Sequence, residues 1–113
     1  MHELSIMENI LEIAARHAQA SEAAKIHRIS LRIGEMSGVS LEALEFAFDV
    51  LSKDTMAEGA ELVVETVPAR CTCEACGTTY EPSDILAGCP SCGGYRSTLL
   101  QGRELELVSM EVS

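Results

Sequence analysis

The chain has 113 residues, of which 47% are apolar, 18 are acidic and eight are basic, so its formal net charge is −10 at pH 7. This length fits one domain, or one small domain that carries a smaller module. No apolar run is long enough to cross a membrane, and the negative charge opposes non-specific binding to the phosphates of DNA or RNA. We therefore expect neither a membrane protein nor a nucleic-acid-binding protein.

The first residues, Met-His-Glu-Leu-Ser, contain no basic segment that leads into an apolar stretch. We therefore expect no signal peptide, and we expect a cytoplasmic location. Thiols stay reduced in that compartment, where paired cysteines usually bind a metal.

The first half of the chain predicts two helices and a strand. Residues 4–19 carry apolar side chains at steps of three and four residues, which is the pattern of an amphipathic helix. Residues 25–33 alternate between apolar and polar, as in a strand with one solvated face. Ser40 is a good N-cap for a second helix over about 40–52. His17 and His27 fall on the apolar faces, which predicts core or boundary positions for both.

Residues 60–67 and 103–112 predict two further strands, which are able to pair with each other. A cysteine-rich segment lies between them. We therefore predict an α+β fold, with two helices on a three-stranded sheet and an inserted zinc-ribbon module. The predicted α+β domain comprises residues 1–69 and 96–113, and the inserted four-cysteine, zinc-binding module comprises residues 70–95.

Four of the five cysteines form two Cys-x-x-Cys pairs, Cys73 with Cys76 and Cys89 with Cys92, with twelve residues between the pairs. Each pair directs two thiolates to one centre, and four thiolates form the closed tetrahedral shell of structural Zn(II). Cys71 fits this spacing less well, so we expect a free thiol outside the shell. A closed shell leaves no position for a substrate, and no phosphate loop or nucleophile elbow is present. No enzymatic activity is predicted.

The cysteine spacing leaves alternatives open. Four thiolates also hold iron in rubredoxin-like electron carriers, although the short spacer and the large helical portion argue against this. A zinc ribbon also serves as a protein-interaction module, and the acidic charge does not oppose protein contact. Two disulfides are a further interpretation, which a reducing compartment opposes.

The N-terminus offers a second candidate metal site. Removal of Met1 normally requires a small second residue, and His2 is large, so Met1 is expected to stay. The Met1 amine, the His2 amide nitrogen and the His2 imidazole form fused chelate rings around one ion. Such nitrogen-rich planar sets suit Ni(II) or Cu(II) better than Zn(II). Glu3 either adds an oxygen ligand or favours the helix start electrostatically. Many chains have an early histidine by chance, so this pattern alone is weak.

Taken together, these features resemble the hydrogenase nickel-incorporation proteins, the HypA/HybF family. The opening Met-His-Glu-Leu-Ser-Ile and the turn Arg-Ile-Gly-Glu-Met-Ser-Gly before the second helix carry the resemblance in the first half. In the second half it rests on the two cysteine motifs, residues 68–77 and 89–93, and on the last strand at residues 102–105.

The resemblance implies a nickel metallochaperone, not an enzyme, with its nickel site in the α+β domain. It implies that His2 is the key Ni(II) ligand, assisted by the Met1 amine and, in one interpretation, by Glu3. It also implies structural Zn(II) on the four motif cysteines. Family members work with a nickel-handling GTPase, HypB, and deliver nickel to the large subunit of [NiFe]-hydrogenase. Some also serve urease, which implies urease maturation proteins as further partners.

Overall fold

The computed structural model describes residues 2–82 and 88–113. The chain divides into two compact units. We call the first the helix unit; its described residues are 2–32, 39–65 and 106–113. We call the second the cysteine unit; its described residues are 33–38, 66–82 and 88–105. The elements in chain order are α1 (Glu3–Ala20), β1 (Ile26–Gly34), α2 (Leu41–Leu51), β2 (Glu61–Val67), β3 (Arg70–Cys73), β4 (Thr79–Tyr80), β5 (Ser97–Gln101) and β6 (Leu105–Val112).

Helix α1 agrees with the helix predicted from the apolar spacing. Its buried residues recur at three- and four-residue steps, which places them on one face; they are Met7, Ile10, Ala14 and Ala18. His17 was expected at the core or its boundary, but it is exposed. The expectation was wrong because the buried stripe is narrower than the apolar pattern of the sequence suggested.

Strand β1 and helix α2 also match their predictions. Ile29, Leu31 and Ile33 are buried on one face of β1, whereas His27 near its start is exposed, and its Nε2 lies 2.7 Å from Ser113 Oγ. The strand does not bury its first polar position, so the core or boundary placement of His27 was also wrong. Helix α2 begins after Ser40, whose Oγ accepts a hydrogen bond from the Ala43 N–H at 3.2 Å. That contact satisfies one backbone N–H of the first turn.

The first sheet has the order β2-β1-β6. The suggested pairing of residues 60–67 with 103–112 is therefore wrong, because β1 lies between these strands. Two ion pairs follow this order: Arg28 on β1 contacts Glu61 on β2 and Glu111 on β6. Strand β1 carries four fully buried side chains, Ile26, Ile29, Leu31 and Ile33. Its central position is the one in which both strand edges are hydrogen-bonded.

A second sheet, whose strands are antiparallel, has the order β4-β3-β5 and lies in the cysteine unit. Cys71 on β3 stands opposite Tyr80 on β4 and Leu99 on β5. The sequence did not reveal this sheet, because strands of two to five residues are too short to show a periodicity. The α+β fold class, with its two helices and the three-stranded sheet around β1, is confirmed. None of the helices in the described part of the chain is long and apolar enough to span a membrane.

Candidate metal centres

Four cysteine sulfurs meet at one point in the cysteine unit. The Sγ atoms of Cys73, Cys76, Cys89 and Cys92 all lie within 4.8 Å of one another. Cys73 Sγ and Cys92 Sγ are 3.6 Å apart, and Cys76 Sγ and Cys89 Sγ are 3.7 Å apart. Zn–S bonds of about 2.3 Å place the sulfurs of a tetrahedron about 3.8 Å apart, whereas a disulfide needs about 2 Å. The cluster therefore fits structural Zn(II) bound by four thiolates, and all five cysteines are free thiols.

The first Cys-x-x-Cys turn is built by two backbone hydrogen bonds. The Cys73 N–H donates to the Thr78 carbonyl at 2.8 Å, and the Gly77 N–H donates to the Cys73 carbonyl at 2.9 Å. Gly77 has φ +78°, the left-handed region that an L side chain rarely adopts. The glycine therefore lets the chain close the turn that carries Cys73 and Cys76.

The second turn repeats the first, bond for bond. The Cys89 N–H donates to the Gly94 carbonyl at 2.8 Å, and the Gly93 N–H donates to the Cys89 carbonyl at 2.8 Å. Gly93 has φ +76°, which is nearly the value of the equivalent glycine in the first turn. Two copies of one backbone motif thus supply the four sulfurs, and each copy supplies two.

Neighbouring groups shift the pKa values of two of the four thiols, Cys76 and Cys92. The Thr78 hydroxyl lies 3.2 Å from Cys76 Sγ, and hydrogen bonding between the sulfur and the hydroxyl and backbone of Thr78 lowers the pKa of Cys76 to about 6. The Gly94 N–H lowers the pKa of Cys92, but the neighbouring cysteine thiols outweigh it and raise the pKa to about 11. The pKa values of Cys76 and Cys92 therefore lie far apart. A divalent ion at the centre supplies the positive charge that permits four thiolates.

Cys71 is buried on β3 and is not a member of the four-sulfur cluster. It packs with Cys73, Tyr80 and Cys89, and Leu99 covers this group. Its side chain therefore belongs to a small buried cluster that also contains two of the four cysteines of the candidate zinc site. Thr78 is a polar neighbour of the metal cluster that the sequence did not reveal, because its position two residues after Cys76 carries no recognisable signal by itself.

The candidate nickel site lies at the start of α1 in the helix unit. His2 is the N-cap residue of α1; it is exposed, and its carbonyl accepts the Ile6 N–H at 2.9 Å. Its side chain makes no capping hydrogen bond. The N–H of an N-cap residue is not used by the helix itself, so the helix occupies neither the amide nitrogen nor the imidazole of His2. The predicted contribution of the Met1 amine lies outside the described residues.

Glu3 is tied to the second helix. Its Oε2 accepts a hydrogen bond from the Ser40 N–H at 2.9 Å, across 37 residues of sequence. This bond and one from the backbone N–H of Glu3 itself lower the pKa of Glu3. The carboxylate therefore stays ionised at neutral pH and joins the N-terminus of α1 to that of α2. Sequence reasoning could not find Ser40 as its partner, because no local pattern links the two positions.

The HypA family model, described as hydrogenase/urease nickel incorporation, metallochaperone, matches residues 1–112. The chain is 47% identical to the hydrogenase maturation factor HypA of Synechococcus elongatus over 112 residues, which cover 99% of each protein. It is 43% identical to that of a Picosynechococcus species, again over 99% of each. Its fold is similar to the solution structure of the Ni metallochaperone HypA from Helicobacter pylori, with a TM-score of 0.67, 24% identity, and coverage of 99% of this chain and 97% of the other. The chain belongs to the HypA family, the nickel metallochaperones of hydrogenase maturation.

Proposed function

We propose that this chain binds Ni(II) at its N-terminus, through His2, and delivers it during maturation of [NiFe]-hydrogenase. The observation that carries the proposal is the placement of His2 as the exposed N-cap of α1, with an imidazole that makes no capping hydrogen bond. The Met1 amine, the His2 amide nitrogen and the His2 imidazole follow one another along the chain. They close fused rings around one ion, in the planar nitrogen-rich arrangement that Ni(II) accepts.

Glu3 is the proposed fourth donor, since it follows His2 directly. The Ser40 N–H holds one of its carboxylate oxygens, which restricts the side chain and keeps it ionised. A site made of chain-terminal groups in solvent also suits release, because an incoming ligand can displace the donors one at a time. The four motif cysteines are the proposed zinc ligands, and their closed shell gives the zinc a structural role.

The remaining assignments rest on family membership. We propose that the chain works in the cytoplasm and is not an enzyme. Its proposed partners are the nickel-handling GTPase HypB, the large subunit of [NiFe]-hydrogenase and, where a urease is also served, urease maturation proteins. We also propose that residues 1–69 with 96–113 form the nickel-binding domain, and that residues 70–95 form the inserted zinc module.

The decisive experiment compares two histidines of the same helix region. Untagged protein with its native Met1 is titrated with Ni(II) by calorimetry, and zinc is measured by elemental analysis. We expect His2→Ala to lose the stoichiometric nickel site, and we expect His17→Ala, which also removes an exposed imidazole, to keep it. Both variants should retain the zinc of the unmodified protein.

A second variant tests the amine. Extra residues placed before Met1 remove its free amine from the chelate but leave every side chain in place, so nickel affinity should fall sharply. Stoichiometric nickel binding by His2→Ala, or full affinity in the extended protein, would contradict the N-terminal site. A red protein with iron at the cysteines would instead support the electron-carrier alternative, because the zinc form is colourless.

A further inference from the structure

Helix α2 presents an apolar pair to solvent. Phe46 and Val50 are one helical turn apart, and their side chains are 69% and 47% exposed. The only other phenylalanine of the chain, Phe48, is two positions away and is 5% exposed, because it points to the opposite, buried face. Packing within the helix unit thus uses Phe48 and leaves Phe46 uncovered.

Acidic side chains flank this pair along one side. Glu42, Glu45 and Asp49 are exposed and lie on the same side of α2, since successive residues turn by about 100°. Helix α2 contains no basic residue at all. We call the surface formed by Glu42, Glu45, Phe46, Asp49 and Val50 the α2 face. This face combines an exposed aromatic side chain with an acidic edge.

From this combination we propose that the α2 face is a docking surface for a basic amphipathic segment of a partner protein. An apolar ridge on such a segment would bury Phe46 and Val50, and its lysines or arginines would face Glu45 and Asp49. Aromatic residues in the centre of a patch supply most of the binding energy of an interface, and complementary charges set the partner and the rate of association.

The charges also argue against the other possible occupants. A second copy of the chain would bring the same acidic edge against itself in a two-fold contact, and like charges across an interface are unfavourable. An anionic membrane surface would repel the face for the same reason. A cationic segment satisfies both the apolar pair and the acids.

The position of the face connects docking with metal transfer. Helix α2 starts directly after Ser40, whose N–H binds the Glu3 carboxylate, so the face begins beside the residue that follows His2. At 1.5 Å per residue, Phe46 lies about 9 Å along the helix from Ser40. A segment docked there is within reach of an ion held at the N-terminus. This step rests on the proposed nickel site, whereas the docking itself does not.

The test uses a synthetic helical peptide with a leucine stripe flanked by lysines, labelled for fluorescence anisotropy, and a control peptide with glutamates in place of the lysines. The full-length protein should bind the basic peptide and not the acidic one. Phe46→Ser should weaken binding by about tenfold or more, as expected for a central aromatic anchor. The paired change Glu45→Gln with Asp49→Asn should weaken it by about threefold and make it less salt-dependent.

Tyr95→Ser is the matched control, because Tyr95 is an 80% exposed aromatic residue of the cysteine unit. It should leave peptide affinity unchanged. Equal affinities of the Phe46→Ser variant and the unmodified protein would overturn the proposal, as would equal losses in the Phe46→Ser and Tyr95→Ser variants. So would self-association in sedimentation, or binding to anionic vesicles, that Phe46→Ser abolishes.

Two cross-measurements separate this proposal from the nickel site. Phe46→Ser should bind Ni(II) as the unmodified protein does, and His2→Ala should bind the basic peptide normally. If the unmodified protein binds the basic peptide through Phe46 but shows no nickel site that depends on His2, the nickel proposal has failed and the docking proposal stands. If it binds nickel through His2 but does not bind the basic peptide, the docking proposal has failed. Circular dichroism of each variant confirms that the exposed substitutions leave the helices intact.

Discussion

The two units of this protein fill their interiors with different chemistry. The helix unit buries aliphatic side chains, and Met7, Ile29 and Leu44 are each fully buried. In the cysteine unit, three of the four residues in the buried cluster are cysteines, Tyr80 is the fourth, and Leu99 packs against them. A module this small cannot remove enough apolar surface from water to stabilise itself, so a bound metal substitutes for the missing core. The helix unit should therefore fold without a metal, whereas the cysteine unit should not.

The largest effect is therefore expected when zinc is removed. Chelation, or the change Cys73→Ala, should unfold the cysteine unit and leave the helix unit folded, since structural zinc contributes on the order of 10 kcal/mol to such modules. Two-dimensional NMR and elemental analysis measure both outcomes. Cys71→Ala is the control: Cys71 is buried nearby but is not in the four-sulfur cluster, so zinc content should stay complete. Unfolding of both units on zinc removal would contradict the expectation that the helix unit folds without a metal.

The second largest effect is expected from a substitution in the core of the helix unit. Leu44 is fully buried on α2, so Leu44→Ala should lower the free energy of unfolding of this unit by about 2–5 kcal/mol. Urea unfolding followed by circular dichroism measures the loss, and zinc content should not change. Val50→Ala shortens a 47% exposed side chain of the same helix and should cost less than about 0.5 kcal/mol. A similar loss in both variants would mean that burial of Leu44 is not what stabilises the unit.

A smaller effect should appear equally in both Cys-x-x-Cys turns. Gly77→Ala and Gly93→Ala each place a side chain at φ near +77°, where the added Cβ meets no other atom, so the strain is that of the backbone alone. A cost of about 1–2 kcal/mol follows, and zinc affinity measured against a competing chelator should fall about five- to thirtyfold.

Gly59→Ala is the matched control for these two changes. Gly59 has φ +78° and equally open surroundings, but it lies in the helix unit. The same backbone strain there should destabilise the helix unit and leave zinc affinity unchanged. Clearly unequal effects at Gly77 and Gly93 would show that the two turns, despite their equivalent hydrogen bonds, do not contribute alike.

The smallest effect is a dependence on pH at the start of α1. The Ser40 N–H lowers the pKa of Glu3 below its ordinary value of 4.5 in the folded state. The resulting stabilisation is fully present above the ordinary pKa and is lost as the pH falls through the lowered one. Protein without nickel should therefore melt at a higher temperature than Glu3→Gln at pH 7, and the difference should vanish in acid.

The control for this last prediction is Glu8→Gln, the same chemical change at an exposed position of α1. The difference in melting temperature between Glu8→Gln and the unmodified protein should not change between neutral and acidic pH, unlike the difference for Glu3→Gln. A pH-independent difference for Glu3→Gln would mean that the charge of Glu3 does not account for its contribution.

Local patterns in the sequence determined much of this protein. The spacing of apolar residues identified α1, β1 and α2, because helix and strand geometry impose fixed periods on the buried side chains. Ser40 identified the start of α2, and its hydroxyl does cap that helix. The two Cys-x-x-Cys pairs predicted one centre of four sulfurs, since each short turn can hold only a narrow range of geometries. The likeness of the whole chain to a known family then indicated nickel and hydrogenase maturation.

Only the tertiary structure decided which distant groups meet. It placed β1 between β2 and β6, revealed the small sheet around Cys71, left His17 and His27 exposed, and joined Glu3 to Ser40. These outcomes depend on burial and hydrogen bonding between segments far apart in the chain. A periodic pattern states which face of an element is buried, but the partner that covers that face is chosen by the packing of the whole unit.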